Sequence, residues 1–117
     1  MSFKILINGA KGRMGSALST AAREMNVTVG AALDLGDDLT AGLATCDAIV
    51  DFSAAAGTRP LLEIAVAHGK PVVLGTTGHT PDEKKSLLAL AAGVPCVWAG
   101  NFSVGVNLLF ALTRLAT

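Results

Sequence analysis

Charged and aromatic residues are scarce in this sequence. Of its 117 residues, 15% are charged and 4% are aromatic, and none is tyrosine. Nine basic residues balance nine acidic ones, and there is no run of like charge of the kind that binds nucleic acid or an anionic membrane surface. The apolar stretches are too short to cross a bilayer. We therefore expect neither nucleic acid nor a membrane as a partner.

Cysteine and histidine are also rare, with two residues of each. Cys46 and Cys96 lie far apart and show no metal-ligand spacing, so we predict no metal site and two reduced, buried thiols. The N-terminal residues lead directly into a strand pattern, which leaves no room for a signal peptide. Together these features predict a cytoplasmic protein.

Strand patterns alternate with helical patterns along almost the whole chain, and apolar residues make up 51% of it. The pattern predicts one domain, residues 1–117, with strands over residues 3–8, 27–33, 48–52, 71–75 and 94–98. It predicts helices over residues 13–25, 57–68, 81–92 and 104–115, and a short crossover over residues 35–45. Strands separated by helices pair in parallel. We therefore expect an α/β, Rossmann-like three-layer open parallel sheet with helices on both faces.

Three glycines at a spacing of three follow the first predicted strand, in the segment KILINGAKGRMG. A strand that enters a glycine-rich turn and opens a helix can bind a diphosphate. Gly9 allows the tight turn, Gly12 removes a Cβ that would block the phosphates, and Gly15 lets the helix pack close to the strand. The helix start then presents free N–H groups and the positive end of its dipole. A glycine-rich turn without a ligand remains the alternative.

Asp34 ends the second predicted strand, 19 residues after Gly15. An acidic side chain there can accept hydrogen bonds from the adenosine ribose of NAD, and it would repel the extra phosphate of NADP. The next residue, Leu35, provides no compensating cation, so the local sequence favours NAD. Arg13 could reach the diphosphate or a 2′-phosphate, which leaves NADP open. The alternative is that Asp34 is a solvated loop acid.

Polar and glycine residues also follow the later strands, and the carboxyl ends of parallel strands meet at one edge of a sheet. These segments are DFS at residues 51–53, GTTG at residues 75–78 and AGNFS at residues 99–103. Their convergence predicts one binding cleft, in which GTTG contacts the nicotinamide side of a dinucleotide; a simple tight turn is the alternative. His79 has no partner in its neighbourhood, so we expect it to face solvent rather than to act in catalysis. We expect Trp98 in the core, and we assign no catalytic residue.

Five motifs, in this order and spacing, closely resemble the amino-terminal half of the dihydrodipicolinate reductase family: GAKGRMG, AALD, IVDFS, VVLGTTGHT and GNFSVGVNLL. The resemblance covers essentially all 117 residues. It implies the cofactor domain of an oxidoreductase that transfers hydride from NADH or NADPH to a cyclic dicarboxylate in the diaminopimelate route to lysine. Leu35 departs from the family, in which an arginine often follows the acidic residue. The short crossover over residues 35–45 departs from the longer members.

The resemblance also implies roles for individual residues. The diphosphate would be lined by Gly9, Ala10, Lys11, Gly12, Arg13 and Met14, and Asp34 would hold the adenosine ribose. Phe52 and Ser53 would flank the cofactor cleft. The nicotinamide would be contacted by Gly75, Thr76 and Thr77, with Thr77 also near the substrate. The residues that would close over the nicotinamide ribose and amide are Ala99, Gly100, Asn101 and Phe102.

The family's catalytic segment has no match in this sequence. That segment, a histidine pair followed by a lysine and a DAPSGT stretch, lies in a second domain of the family. We therefore expect the cofactor-binding half of such a reductase, a fragment that does not turn over the small-molecule substrate by itself. Two alternatives remain: a stand-alone NAD(H)-binding or assembly module without chemistry, and another Rossmann dehydrogenase.

The last predicted helix carries leucines at helical spacing, namely Leu108, Leu109, Leu112 and Leu115. Such spacing predicts an apolar face. Because an exposed apolar face tends to recruit a partner, we expect a homo-oligomer.

Overall fold

The computed structural model describes residues 3–34 and 36–98 of the chain, in which β-strands and α-helices alternate. The strands are β1 (Lys4–Asn8), β2 (Thr28–Leu33), β3 (Ala48–Asp51), β4 (Val72–Leu74) and β5 (Cys96–Trp98). The helices are α1 (Arg13–Glu24), α2 (Leu39–Leu43), α3 (Thr58–His68) and α4 (Pro81–Ala91), and a 3-10 turn (Ala55–Gly57) precedes α3. The predicted helix over residues 104–115 lies outside the described residues.

The strands form one parallel sheet in the order β2-β1-β3-β4-β5. This pairing confirms the predicted parallel α/β fold. The chain moves outward from β1 to β2 and then returns, so that β3 pairs with the other edge of β1. The carboxyl ends of β1 and β3 therefore flank the point where the strand order reverses. Ligands of open α/β sheets bind at this point.

The sheet is covered on both faces, because consecutive residues of a strand point to opposite sides. On one face, Leu6, Ile49 and Leu74 pack with buried residues of α2, α3 and α4. On the other face, Val50 packs with Leu18 of α1. The prediction of helices on both faces is confirmed.

Predicted and observed elements agree in type and differ by one or two residues at their ends. β4 begins after Pro71, and β5 begins after Pro95, because proline has no N–H to donate to the ladder. The carbonyl groups of the two prolines still accept hydrogen bonds, from the main-chain N of Ile49 and of Val72, both at 2.9 Å. The short crossover between β2 and β3 contains only the five-residue helix α2.

Candidate functional site

The glycine turn lies at the carboxyl end of β1, beside the end of β2. Gly9 has a φ of 86°, and the N–H groups of Gly9 and Ala10 donate to the carbonyl oxygen of Leu33 at 2.8 and 3.0 Å. Gly12 is exposed and is the N-cap of α1, in an extended conformation. No side chain in the described part of the chain caps this helix. Its first amide groups are therefore available to an anion.

The glycines of the turn differ in what a side chain would meet. At Gly15, a Cβ would overlap main-chain atoms of Gly9 and Ala10, so α1 packs directly on the turn. At Gly9, a Cβ would lie 3.0 Å from main-chain atoms that follow β3, and the positive φ also favours glycine. At Gly12, the nearest atom would be the carbonyl oxygen of Gly9 at 3.4 Å, an ordinary contact. Packing therefore explains two of the glycines but not Gly12, which leaves the space before the α1 amides open.

Asp34 faces the glycine turn. Its Oδ1 accepts a hydrogen bond from the main-chain N–H of Lys11 at 3.1 Å. Its own N–H donates to the Oδ2 of Asp37 at 2.9 Å, which holds the loop after β2 in place. Asp34 is half-buried rather than fully solvated, and its carboxylate lies beside the glycine turn.

Of the long side chains of the turn, two are exposed at the surface and one packs against the core. Lys11 and Arg13 are exposed, and these two cations lie on the same turn as the free amides. Met14 is half-buried and packs against the core between α1 and the sheet. Its side chain therefore stabilises the helix, and its main-chain N–H is the part of Met14 that faces the start of α1.

The segments after β3 and β4 lie in close contact. A Cβ on Gly75 would overlap the aromatic ring of Phe52, so the ring lies directly on the main chain of the GTTG segment. The N–H of Gly75 donates to the main-chain oxygen of Asp51 at 2.8 Å, and the N–H of Phe52 donates to that of Asn8 at 3.1 Å. The ends of β2, β1, β3 and β4 thus form one continuous edge, as the sequence predicted.

Asp51 is a buried carboxylate at the strand reversal that the sequence analysis did not single out. It is 0% exposed. Its Oδ1 accepts hydrogen bonds from Asn8 Nδ2 at 3.0 Å, from Ser53 N at 3.2 Å and from Ser53 Oγ at 2.6 Å. Its Oδ2 has no partner among the described residues. Burial raises the pKa of Asp51 above its ordinary value, and the hydrogen bonds from Ser53 and Asn8 oppose this only in part.

The prediction that His79 faces solvent without a partner was wrong. Its Nε2 lies 2.9 Å from the Oγ1 of Thr58, which in turn lies 3.2 Å from the Oγ1 of Thr76. The ring of His79 meets the ring of Trp98 edge to face, with centroids 4.9 Å apart. Trp98 is half-buried and packs against the core, and its Nε1–H donates to the main-chain oxygen of Thr76 at 3.0 Å. These contacts join residues distant in sequence, so no local pattern indicates them.

A cavity of about 190 Å³ opens beside this cluster. Its lining residues are Thr76, Thr77, Gly78, His79, Lys84 and Trp98. Thr77 is exposed, whereas Thr76 is buried. The predicted site residues of the next loop, Ala99, Gly100, Asn101 and Phe102, lie outside the described residues.

Over residues 3–34 and 36–98, no group of three or more histidine, cysteine, aspartate and glutamate side chains could hold a metal ion. Both cysteines are free thiols; Cys46 is buried and Cys96 is half-buried, and burial raises the pKa of the Cys96 thiol. No helix in the described part of the chain has the length and apolarity to cross a membrane.

Three kinds of comparison relate the chain to known proteins: a family model, curated relatives and a solved structure. The family model for the N-terminus of dihydrodipicolinate reductase matches residues 3–102. A 4-hydroxy-tetrahydrodipicolinate reductase of Akkermansia muciniphila is 50% identical over 113 residues, which cover 96% of this chain and 46% of the relative. One of Ralstonia pickettii is 40% identical, over an alignment that covers 97% of this chain and 52% of the relative. The chain therefore spans about half the length of the curated relatives it matches.

The fold is shared with a solved structure, a dipicolinate-bound dihydrodipicolinate reductase from Paenisporosarcina sp. TG-14. The superposition has a TM-score of 0.66 and covers 99% of this chain and 54% of the other, at 19% sequence identity. At this identity the likeness concerns the fold alone. The family model and the relatives together establish that this chain belongs to the dihydrodipicolinate reductase family and corresponds to its N-terminal part.

Proposed function

We propose that this chain is the NAD(P)H-binding part of a reductase. The observation that carries the proposal is the space kept open at Gly12, in front of the uncapped amide groups of α1 and beside the carboxylate of Asp34. Main-chain amides at a helix start bind a diphosphate, and an acid at the end of the neighbouring strand binds a ribose. The family is one of NAD(P)H-binding oxidoreductases, which agrees with this chemistry.

The proposed contacts follow the carboxyl edge of the sheet. The diphosphate is held by the turn residues Gly9, Ala10, Lys11, Gly12, Arg13 and Met14, chiefly through main-chain N–H groups and the two cations. Asp34 accepts hydrogen bonds from the adenosine ribose. The nicotinamide side is met by Phe52, Ser53, Gly75, Thr76 and Thr77, and by the next loop with Ala99, Gly100, Asn101 and Phe102.

In the whole protein, we propose transfer of a hydride to a cyclic dicarboxylate of the dihydrodipicolinate type. The bound nicotinamide supplies the hydride, and this part of the protein sets which face of the nicotinamide is presented. Cationic groups that bind the substrate carboxylates come from the remainder of the reductase. We assign no catalytic residue to this chain, and we expect the 117-residue chain alone to be inactive.

The finer proposal is a preference for NAD over NADP, and replacement of Asp34 tests it. Asp34→Ala should weaken NADH binding at least about tenfold, because a charged acceptor of hydrogen bonds contributes roughly 1.5–3 kcal/mol. NADPH binding should change less or improve, because the carboxylate that repels the 2′-phosphate is gone. Calorimetric titration of both cofactors measures the two effects.

The matched control for this variant is Glu24→Ala, which removes one exposed carboxylate at the far end of α1. It should leave both affinities unchanged. Equal loss of NADH affinity in the two variants would mean that Asp34 affects binding only through the net charge of the protein. Absence of NADH and NADPH binding by the unaltered chain would overturn the proposed function.

We also propose a homo-oligomer in the cytoplasm. Support comes from the apolar leucine spacing over residues 104–115 and from the biosynthetic role of the relatives. Sedimentation velocity should show self-association that increases with concentration. A clean monomer at high concentration would contradict the expectation.

A further inference from the structure

Four residues form a closed set of contacts around the end of β4. The hydroxyl of Thr58, on the first turn of α3, lies between His79 Nε2 at 2.9 Å and Thr76 Oγ1 at 3.2 Å. The ring of His79 packs edge to face on Trp98, at 87° between the ring planes. Trp98 closes the set by donating to the main-chain oxygen of Thr76 at 3.0 Å. The GTTG segment is therefore held from two sides by residues of α3 and β5.

The number of hydrogen-bonding protons on these side chains limits the directions that their hydrogen bonds can take. Thr58 is 0% exposed and Thr76 is 3% exposed, so the two hydroxyl groups must find their partners within the protein. Thr58 has one O–H proton and can donate it to one of its two neighbours. When His79 Nε2 accepts, Thr58 donates to His79 and receives the proton of Thr76. When His79 Nε2 donates, the proton of Thr58 is released and can be donated to Thr76, whose own hydroxyl is then free to donate elsewhere.

We propose that His79 is a positioning residue, which sets the hydrogen-bonding direction of Thr76 through Thr58 and holds Trp98 against the GTTG segment. This proposal rests on the proposed function, in which GTTG meets the nicotinamide side of the cofactor. Nε2 of His79 donates to Thr58 when it carries a proton and accepts from Thr58 when it does not, so the proton on Nε2 biases whether Thr76 offers a proton or a lone pair. Neither role places His79 in contact with cofactor or substrate.

The charged groups around His79 come from three elements. Asp51 at the end of β3 interacts electrostatically with His79. Arg59 of α3 and Glu83 of α4 line a second cavity that also includes His79. Lys84 of α4 lies 5.2 Å from the ring centroid of Trp98. Because several of these groups can also change charge, a pH dependence can be attributed to His79 only if it disappears when His79 itself is replaced.

The first test uses the fluorescence of Trp98, the single tryptophan of the 117-residue chain. A protonated imidazole quenches a neighbouring excited indole by accepting an electron from it, and a neutral imidazole does so much less. Fluorescence of the complete chain without cofactor should rise when the pH is raised far enough to remove the positive charge of His79. The rise should be lost in His79→Phe, which keeps an aromatic ring on Trp98.

The chain offers a control in its other histidine. His68 is exposed at the end of α3 and bonds the main-chain oxygen of Ile64 through Nδ1 at 2.9 Å. His68→Asn should keep the full rise in fluorescence. A rise that persists in His79→Phe, or that disappears in His68→Asn, would overturn the proposed coupling between His79 and Trp98.

The second test measures NADH affinity with variants that separate the hydrogen bond from the ring contact. His79→Phe should weaken binding about tenfold, and Thr58→Val should do the same, because each removes the relay to Thr76. His79→Gln and Thr58→Ser keep a hydrogen-bonding group and should remain within about threefold of the unaltered chain. The double variant, His79→Phe with Thr58→Val, should bind NADH no more weakly than either single variant, because both changes interrupt the same relay.

The outcomes distinguish this inference from the proposed function. Absence of NADH binding by the unaltered chain would overturn the proposed function and, with it, the role of His79 toward the cofactor. Normal NADH binding in the unaltered chain together with unchanged binding in His79→Phe would overturn the positioning role alone. A pH dependence of NADH affinity that is present in the unaltered chain and absent in His79→Phe would support the positioning role, since the phenyl ring can keep the contact with Trp98 but cannot bind a proton.

Discussion

Gly12→Ala is expected to weaken NADH binding at least about tenfold while it changes the free energy of unfolding by less than about 1 kcal/mol. The new Cβ would meet the carbonyl oxygen of Gly9 at an ordinary 3.4 Å, so the turn accepts it. Alanine at an N-cap is somewhat less favourable than glycine, which accounts for the small loss of stability. The same Cβ would stand before the free amides of α1. Loss of one charge-assisted hydrogen bond to a phosphate is enough for the tenfold effect.

Gly15→Ala, three residues further on, is expected to destabilise the fold, and to weaken NADH binding only as a consequence. Alanine within a helix is intrinsically favoured over glycine by about 1 kcal/mol. Here the Cβ would overlap main-chain atoms of Gly9 and Ala10, which no side-chain rotation can relieve. Overpacking against a rigid neighbour typically costs about 1–3 kcal/mol or more. We therefore expect a net loss of at least about 2 kcal/mol in the free energy of unfolding, and weak NADH binding as a consequence.

Urea unfolding measures the stability of Gly12→Ala and Gly15→Ala, and calorimetry on the same preparations measures their affinity for NADH. Gly57→Ala is the matched stability control, because its Cβ would make an ordinary contact of 3.6 Å with Ser53 Oγ. Gly57 is the N-cap of α3, as Gly12 is of α1, so Gly57→Ala should likewise stay within about 1 kcal/mol of the unaltered chain. Full NADH affinity in Gly12→Ala would contradict the diphosphate assignment, even if Gly15→Ala were destabilised as expected.

The parts of the fold that depend on local pattern could be predicted from the sequence. Alternating strands and helices indicate a parallel sheet, and the helix stop at Gly69, with a φ of 64°, follows from glycine's freedom in the left-handed region. The strand order could not be predicted in the same way. It depends on whether β3 pairs with β1 or with the outer edge of β2, and this choice is made by long-range packing of Ile49 and Val50 with helices on both faces.

In the candidate site, too, features that depend on local sequence could be predicted, and features that depend on distant contacts could not. The sequence placed Asp34 beside the glycine turn because both belong to one local strand–turn–helix–strand unit. The environment of His79 could not be predicted, since its partner Thr58 lies 21 positions away on another element. The burial of Asp51 was also missed. An acidic residue directly after the apolar run AIV is the one signal that could have indicated it.

Asp51→Ala is expected to lower the free energy of unfolding by about 3 kcal/mol. The substitution leaves the amide of Asn8 and the hydroxyl of Ser53 without the acceptor that now binds both. The loss of each hydrogen bond costs roughly 0.5–1.5 kcal/mol, and the cavity left at the buried position of Asp51 adds to the loss. Asp51→Asn keeps an oxygen for both donors and should remain near the stability of the unaltered chain. Urea unfolding at neutral pH compares the two variants.

The pH dependence of stability separates the charge of Asp51 from its hydrogen bonds. Because burial raises the pKa of this carboxyl above 3.8, the folded chain holds the proton more tightly than the unfolded chain does. Stability contributed by Asp51 is therefore greatest at low pH and falls as the pH rises from about 3.8 through the folded-state pKa, above which it stays constant. Asp51→Asn lacks this titration, so its free energy of unfolding should gain on that of the unaltered chain over the same interval. A difference that stays constant with pH would mean that Asp51 ionises as freely in the folded chain as in the unfolded one, and that its charge is compensated at the strand reversal.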